Sequence, residues 1–262
     1  MNLNRSPDKP EHALLREAPT DVSRHLANPN MDWNIPIANQ EVATAYGSFK
    51  DYVLGVATHF AGSRLLEALD LTPLESETKI ALSNDFADYF TTIRNVGDLV
   101  QSIESGYYSQ LSLRLATIQL CTAFEVLFDS ITRTYGVTAD NEPAIEAPYG
   151  GAAPIQLGNK TIRQIRKLHR VLEIDTVLND DDVLLKLSAI IELRNCFIHS
   201  GGRVPNEGKQ VRLSVYGISA EVGESVHLKR NHFDDFLHYV IIHVQAFVRF
   251  LPEMTGRTMP ST

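Results

Sequence analysis

The side chains best suited to chemistry lie close together, in the stretch from Glu192 to Gly202. Arg194 and Asn195 carry donors that bind anionic oxygens, and His199 is the type of side chain that transfers protons near neutral pH. The residues around them are mostly apolar, and two glycines follow shortly after the histidine. The pattern predicts an apolar helix that carries an anion-binding pair and ends at a proton-transferring group.

A helix in this stretch divides its polar side chains between two directions. At about 100° per residue, four of them fall on one narrow face: Ser188, Glu192, Asn195 and His199. The rest of the circumference is almost entirely apolar, which is typical of a buried central helix. Arg194 lies within the apolar arc. Because a guanidinium keeps its charge, Arg194 requires an acidic partner or an anionic ligand there.

An acidic partner for Arg194 is available on an earlier predicted helix. Glu125 lies between Cys121 and Phe128, on a row that is otherwise apolar. One interpretation is therefore a buried Arg194–Glu125 ion pair that joins two helices, since buried charges are seldom left unpaired. His199 also has a structural interpretation, because helix ends commonly carry a histidine before a glycine cap.

The hydrophobic periodicity predicts a mainly α fold. Residues 1–40 lack periodic apolar positions, and we expect a flexible leader in which Trp33 and Ile35 dock on the body of the protein. The predicted helices cover about residues 42–69, 83–106, 109–135, 161–173, 181–199 and 232–250.

Two segments between these helices are predicted to be non-helical. Residues 137–159 are rich in proline and glycine, which indicates a long surface loop. After Gly202 apolar and polar residues alternate, which predicts a small β-hairpin at about residues 209–229, before the last helix. The expected organisation is a leader (1–40), an N-terminal helical segment (41–106), a helical domain (107–252) and a tail (253–262).

Composition narrows the class of protein. The chain has 262 residues, 44% of them hydrophobic, and a formal net charge of -8, which argues against coating nucleic acid through bulk electrostatics. Cys121 and Cys196 have no metal-ligand spacing and lie in apolar helical stretches, so we expect small buried hydrophobes and no metal. No secretory leader or membrane-spanning run is evident, and we expect a cytoplasmic protein that does not enter the membrane.

A basic segment at residues 160–170 has two interpretations. It is either a solvated helix face or a rim that faces phosphate groups. With one further arginine after the motif, the candidate RNA-binding side chains are Lys160, Arg163, Arg166, Lys167, Arg170 and Arg203.

The run Glu192–Gly202 resembles the active-site helix of the HEPN superfamily. That signature is an arginine, a polar residue that is often asparagine, three variable positions and a histidine, which here are Arg194, Asn195 and His199. The resemblance extends loosely over residues 109–250 and implies a HEPN-like helical bundle. Residues 42–104 match no motif, and they contain no nucleophile–base pattern or glycine-rich phosphate loop.

The resemblance implies a metal-independent endoribonuclease without a cofactor, of the toxin or phage-defence type. Arg194 would bind the scissile phosphate, and His199 would act as general base or acid in attack by the RNA 2′-OH, leaving a 2′,3′-cyclic phosphate. Asn195 would orient the imidazole or bind phosphate. Supporting or ion-pairing roles then fall to Glu125, Glu192 and Ser200.

Two features of the motif set conditions on this function. Arg194 and His199 are about 140° apart around one helix, so a second copy in a homodimer would be needed to supply the missing half of the site. One HEPN subgroup carries a tyrosine two positions after the histidine. Here that position is Gly201, which argues against control by modification of that tyrosine, and a regulatory or antitoxin protein remains a candidate partner.

The alternative function is that of a non-catalytic HEPN-like module that binds a partner protein or a nucleotide.

Overall fold

A computed structural model describes residues 33–71, 74–78, 93–137, 143–149, 152–174 and 180–251. Within these ranges the protein is mainly α, as predicted, with seven helices and one two-stranded antiparallel sheet. The helices are α1 (Gln40–Ala68), α2 (Val96–Glu104), α3 (Tyr107–Thr134), α4 (Lys160–Val171), α5 (Asp181–His199), α6 (Glu207–Ser214) and α7 (Arg230–Arg249). The strands are β1 (Ile145–Tyr149) and β2 (Ala152–Leu157).

The described chain falls into two compact units. The first contains the described residues within 57–113, and the second contains those within 33–56 and 114–251. In the first unit, Asn95 caps α2 by accepting from the Asp98 amide at 2.8 Å, and Asp98 accepts from the Arg94 amide at 2.8 Å. The helix predicted over 83–106 is not continuous, because residues 93–95 are not helical and α2 begins at Val96. Residues 79–92 lie outside the described ranges.

The second unit is built around the apolar faces of α3, α5 and α7. Its largest fully buried side chains include Phe124 and Phe128 of α3 and three phenylalanines of α7. The end of the predicted leader docks as expected, since Ile35 is 9% exposed and the Trp33 ring lies 6.5 Å from that of Tyr46. The leader's first 32 residues lie outside the described ranges.

The prediction of a long loop over residues 137–159 was wrong. Much of this segment is a β-hairpin in which Glu146 pairs with Gln156 and Ala147 with Ile155. Pro148 lies where the register shifts and has no partner in the ladder, which suits a residue without a backbone N–H. The helix α5 contacts both strands.

The β-hairpin predicted at about residues 209–229 was also wrong. Residues 207–214 form α6, capped by Asn206, whose side chain accepts from the Lys209 amide at 3.0 Å. Lys209 and Arg212 are one helical turn apart and both pair with Glu192 of α5, an arrangement that a strand would not permit. The only β contacts described near this segment are the isolated bridges Arg203↔Ser225 and Val204↔Val222.

Helix α3 is relevant to the prediction that the protein does not enter the membrane. Among the described residues, it is the one helix whose length and composition would suffice to cross a bilayer. More than half of its apolar window is buried within the protein, and a core helix of a soluble protein passes the same test.

Candidate functional site

Helix α5 positions the motif and has the bounds that the sequence predicted. Asp180 caps its N-terminus by accepting from the Asp182 amide at 2.8 Å. At the other end, the amides of Ser200 and Gly202 both donate to the Cys196 carbonyl, at 3.1 and 2.9 Å. Gly201 and Gly202 have φ of 59° and 81°, a region that favours glycine, so the chain turns directly after His199.

The central part of α5 is buried and its last residues are accessible. Leu187, Ile190 and Leu193 are at most 1% exposed, whereas Ile198 is 45% exposed. His199 is exposed, and no hydrogen bond or ion pair of its side chain is present within the described part of the chain. The imidazole is therefore open to a ligand or a second protein surface.

Arg194 forms the ion pair with Glu125 that was one of the two interpretations. Its Nη2 lies 2.8 Å from Glu125 Oε2, and its Nη1 donates to Asn195 Oδ1 at 2.9 Å. The pair is not sealed, because each of the two side chains keeps about a fifth of its surface exposed (20% and 21%). Burial raises the pKa of Glu125, while Arg194 and a hydrogen bond from Thr161 act in the opposite direction.

Glu192 joins three elements of the second unit. The residue is 5% exposed, and its carboxylate pairs with Lys209 and lies 3.5 Å from Arg212 Nη1. Arg212 also donates through Nη2 to the Gln156 carbonyl of β2 at 2.8 Å. Burial, and secondarily the charge of Arg212, lower the pKa of Lys209. Glu192 thus holds α6 against the motif helix α5. Arg212 in turn connects α6 to β2 of the hairpin.

The basic helix α4 is amphipathic, and two of its cations are engaged in ion pairs. Lys160 Nζ lies 3.3 Å from Asp129, one turn beyond Glu125 on α3, so Lys160 is near the Arg194–Glu125 pair. Arg166 pairs with Asp181 at the first turn of α5, which is about 27 Å along the helix axis from His199. The remaining candidates differ in exposure: Arg163 and Lys167 are half-buried, and Arg170 and Arg203 are exposed.

One charged residue that packs against the end of α5 was not predicted from the sequence. Arg114 of α3 places its guanidinium carbon 5.6 Å from the centroid of the Phe197 ring, and its Nη2 donates to the Val226 carbonyl at 3.2 Å. A Cβ added at Gly202 would lie 3.2 Å from Arg114 Nη1. The available signal was an arginine inside an otherwise apolar helical stretch, eleven residues before Glu125 on the same face.

The two cysteines are buried thiols, as the apolar pattern predicted. Cys121 and Cys196 are at most 1% exposed and both are free. Burial raises the pKa of each thiol, so neither resembles an activated nucleophile.

Comparison with known proteins adds no relative. No family model, no curated protein and no solved structure matches this chain. The resemblance of Glu192–Gly202 to the HEPN motif therefore depends on the motif residues and on their placement.

Proposed function

We propose that this protein is a metal-independent endoribonuclease of the HEPN type that acts as a cytoplasmic homodimer. The observation that carries the proposal is the placement of the motif at the accessible end of a buried helix. His199 is exposed, and Arg194 is held by Glu125 and Asn195 while about a fifth of its side chain stays exposed. A substrate can reach both groups without unfolding the core.

In the proposed reaction, His199 removes the proton from an RNA 2′-OH, and the resulting oxygen attacks the adjacent phosphorus. The bond from phosphorus to the 5′ oxygen of the next nucleotide breaks, and a general acid protonates that oxygen. Arg194 stabilises the charge that develops on the phosphate, and Asn195 keeps the guanidinium in place through the contact at 2.9 Å. The products are a 2′,3′-cyclic phosphate and a 5′-OH.

The geometry of α5 supports the proposal of a homodimer. His199 is five residues after Arg194, which corresponds to roughly 7.5 Å along the axis and 140° of rotation. The backbone therefore starts the two side chains in different directions, although the Arg194 guanidinium reaches Asn195 on the face that carries His199. A second copy related by a two-fold axis would place His199 of one chain opposite Arg194 of the other, giving two composite sites per dimer.

The acidic net charge of -8 fits a nuclease that binds RNA locally rather than coating it. In keeping with the HEPN resemblance, the physiological role would be that of a toxin or phage-defence effector. Such an activity would require a restraining protein, and an antitoxin-like regulator is the partner that we expect.

The test is incubation of the purified protein with mixed RNA in EDTA, compared with His199→Ala. We expect cleavage by the wild type, with 2′,3′-cyclic phosphate ends, and loss of at least a hundredfold in His199→Ala, since general acid–base groups contribute about that much or more. His59→Ala, which removes an exposed histidine of α1, is the matched control and should cleave normally. Equal cleavage by wild type and His199→Ala, or none by either, would remove the proposal.

The Arg194–Glu125 ion pair favours a second candidate function. Because Glu125 neutralises Arg194 within the resting protein, the arginine is accounted for without any substrate. A non-catalytic HEPN-like module that binds a partner protein or a nucleotide would need no more than this. Absence of cleavage by the folded dimer would favour the module over the nuclease.

A further inference from the structure

Arg114 is a half-buried cation in an apolar setting. It lies in α3 among leucines and alanine, and its guanidinium is placed between the Phe197 ring and the turn at Gly202. Of its donors, Nη2 has the Val226 carbonyl, and the buried Nε has no hydrogen-bond partner. The guanidinium is therefore fixed in position but incompletely satisfied.

No carboxylate of the described residues forms an ion pair with Arg114. This separates it from Arg194, which has Glu125, and from Arg166, which has Asp181. A guanidinium does not deprotonate, so a partly buried one gains from an anion close by. The carbonyls at the end of α5 supply only a partial negative charge, about half an elementary charge for a whole helix terminus.

The charge of Arg114 lies close in the structure to the chain segment that carries His199. Phe197, against which Arg114 packs, is two residues before the histidine, and Gly202 is three residues after it. The Gly202 carbonyl accepts from the Val226 amide at 2.8 Å, so Arg114, Gly202 and Val226 form one hydrogen-bonded unit beneath the turn. An anion at Arg114 would lie at the same end of α5 as the imidazole but on the side of the helix nearer Arg194, because Phe197 is about 60° around the helix from Arg194 and about 160° from His199.

We infer that Arg114 is a phosphate-binding residue of the candidate site and that its ligand is a phosphodiester group of single-stranded RNA. This inference rests on the proposed function. It names the part of the substrate that each protomer binds with its own residues. Arg194 begins paired with Glu125, whereas Arg114 has a full charge available for the phosphate. A planar guanidinium presents two parallel N–H groups to two phosphate oxygens, which an ammonium does not.

The absence of a side chain at Gly202 leaves room for the guanidinium at the turn. A methyl group at this position would approach Nη1 to 3.2 Å and would require the arginine to move. The φ of 81° also disfavours any residue with a side chain. Gly202 thus leaves the space that the Arg114 guanidinium occupies.

The experiment measures binding apart from cleavage, with a fluorescent 2′-O-methyl RNA oligonucleotide that has no free 2′-OH to attack. Full-length wild type, Arg114→Gln, Arg114→Lys and Arg133→Gln are titrated by anisotropy at several salt concentrations. Arg133, an exposed cation near the other end of α3, provides the matched loss of one charge. Binding is measured well below the thermal transition of each variant.

We expect Arg114→Gln to weaken binding by roughly tenfold or more, since a hydrogen bond to a charged group is lost. The slope of log K against log salt should fall by about 0.7, as for the loss of one contact to a single-strand phosphate. Arg114→Lys should restore the slope but only part of the affinity. Arg133→Gln should bind as the wild type does.

Binding by Arg114→Gln equal to that of the wild type or of Arg133→Gln would overturn the inference, and so would failure of the folded wild type to bind. If Arg114→Gln does not fold, Arg114→Lys takes its place, and wild-type affinity in it would exclude a bidentate contact. The proposed function fails separately. If binding depends on Arg114 but no RNA is cleaved, the proposed nuclease function is wrong and the phosphate-binding role of Arg114 stands. If cleavage requires His199 but not Arg114, the nuclease function stands and the role of Arg114 is wrong.

Discussion

Arg194 Nη2 lies 2.8 Å from Glu125 Oε2, and this contact links α5 to α3 beside the motif. The pair gives the arginine two roles, because the same guanidinium that could bind a substrate also holds two core helices together. Changes to either residue should therefore affect stability, and stability must be measured before a loss of activity is assigned to chemistry.

Glu125→Gln tests the structural role of the pair. The amide keeps the shape of the side chain but leaves Arg194 without its counter-charge, and we expect a loss of about 1–2 kcal/mol in the free energy of unfolding. The figure is below that for a fully buried pair because both side chains are about one-fifth exposed. Urea denaturation measures it. Lys160→Gln, which removes only the more exposed Lys160–Asp129 pair, should cost less, and an equal cost would contradict the assignment.

Mixed dimers test whether the site is composite. Arg194→Ala and His199→Ala should each be inactive alone, but a heterodimer of the two retains one complete pair across its interface. Refolding the variants together should restore about a quarter of wild-type activity, since half of the dimers are mixed and each has one of two sites. RNA cleavage measures this. No recovery from verified heterodimers would place both residues of a site in one chain.

Glu192→Gln should release α6 from the motif helix. Glu192 is 5% exposed and faces two cations, so its neutralisation leaves Lys209 and Arg212 adjacent in a half-buried position. We expect a loss of about 2–4 kcal/mol and faster hydrogen exchange in residues 207–214. Glu207→Gln, an exposed acid at the start of α6, serves as the control. Unchanged exchange in α6 would show that other contacts hold it.

Two glycines of the second unit should differ in their tolerance of alanine. Gly202 and Gly217 both have positive φ, 81° and 66°, but only Gly202 has neighbours within 4 Å of an added Cβ. Gly217→Ala should cost roughly 1 kcal/mol for the backbone alone, and Gly202→Ala should cost more. Thermal denaturation compares them. Arg114→Ala should reduce the additional cost at Gly202, and simple additivity of the two changes would argue against the contact.

His243 should make the protein sensitive to acid. The residue is 1% exposed, with the rings of Phe124 and Phe128 about 6 Å away (6.1 and 6.0 Å). Burial, and secondarily the neighbouring His169, lower the pKa of His243 to about 3 from its ordinary 6.5. Between these values the unfolded chain binds a proton that the folded chain excludes. Stability is therefore full above pH 6.5 and is lost as the pH falls toward 3.

Urea denaturation at a series of pH values measures this dependence, which should approach about 1.4 kcal/mol per pH unit in the steep part of the window. His243→Leu should flatten the curve, with His169 and His232, whose pKa values burial also lowers, supplying the remaining slope. His59→Leu, at an exposed position, should leave the curve as it is. An unchanged slope in His243→Leu would assign the acid sensitivity to other groups.

Long periodic segments were predicted well because burial alone determines them. The predicted bounds of α5 are the observed ones, and those of α3 and α7 differ by two residues or fewer. The Arg194–Glu125 pair was also predictable, since each charge stands alone on an apolar row and requires a partner. The partner of a buried charge can be found in the sequence when it is another buried charge.

Short segments and uncharged partners could not be predicted in the same way. Three alternating apolar residues after Lys209 suit a strand as well as a helix, and the ion pairs with Glu192 decide in favour of α6. Arg114 was missed for a related reason. Its partners are the Val226 carbonyl, the Phe197 ring and a glycine turn, none of which has a complementary charge to search for.

Val204 and Val222 form an isolated β-bridge shortly after the motif. Residues 205–221 leave and return at this one point, so the entropy of closing the excursion depends only weakly on its length. Changes in the length of this excursion should therefore be tolerated, provided that α6 still brings Lys209 and Arg212 to the buried carboxylate of Glu192.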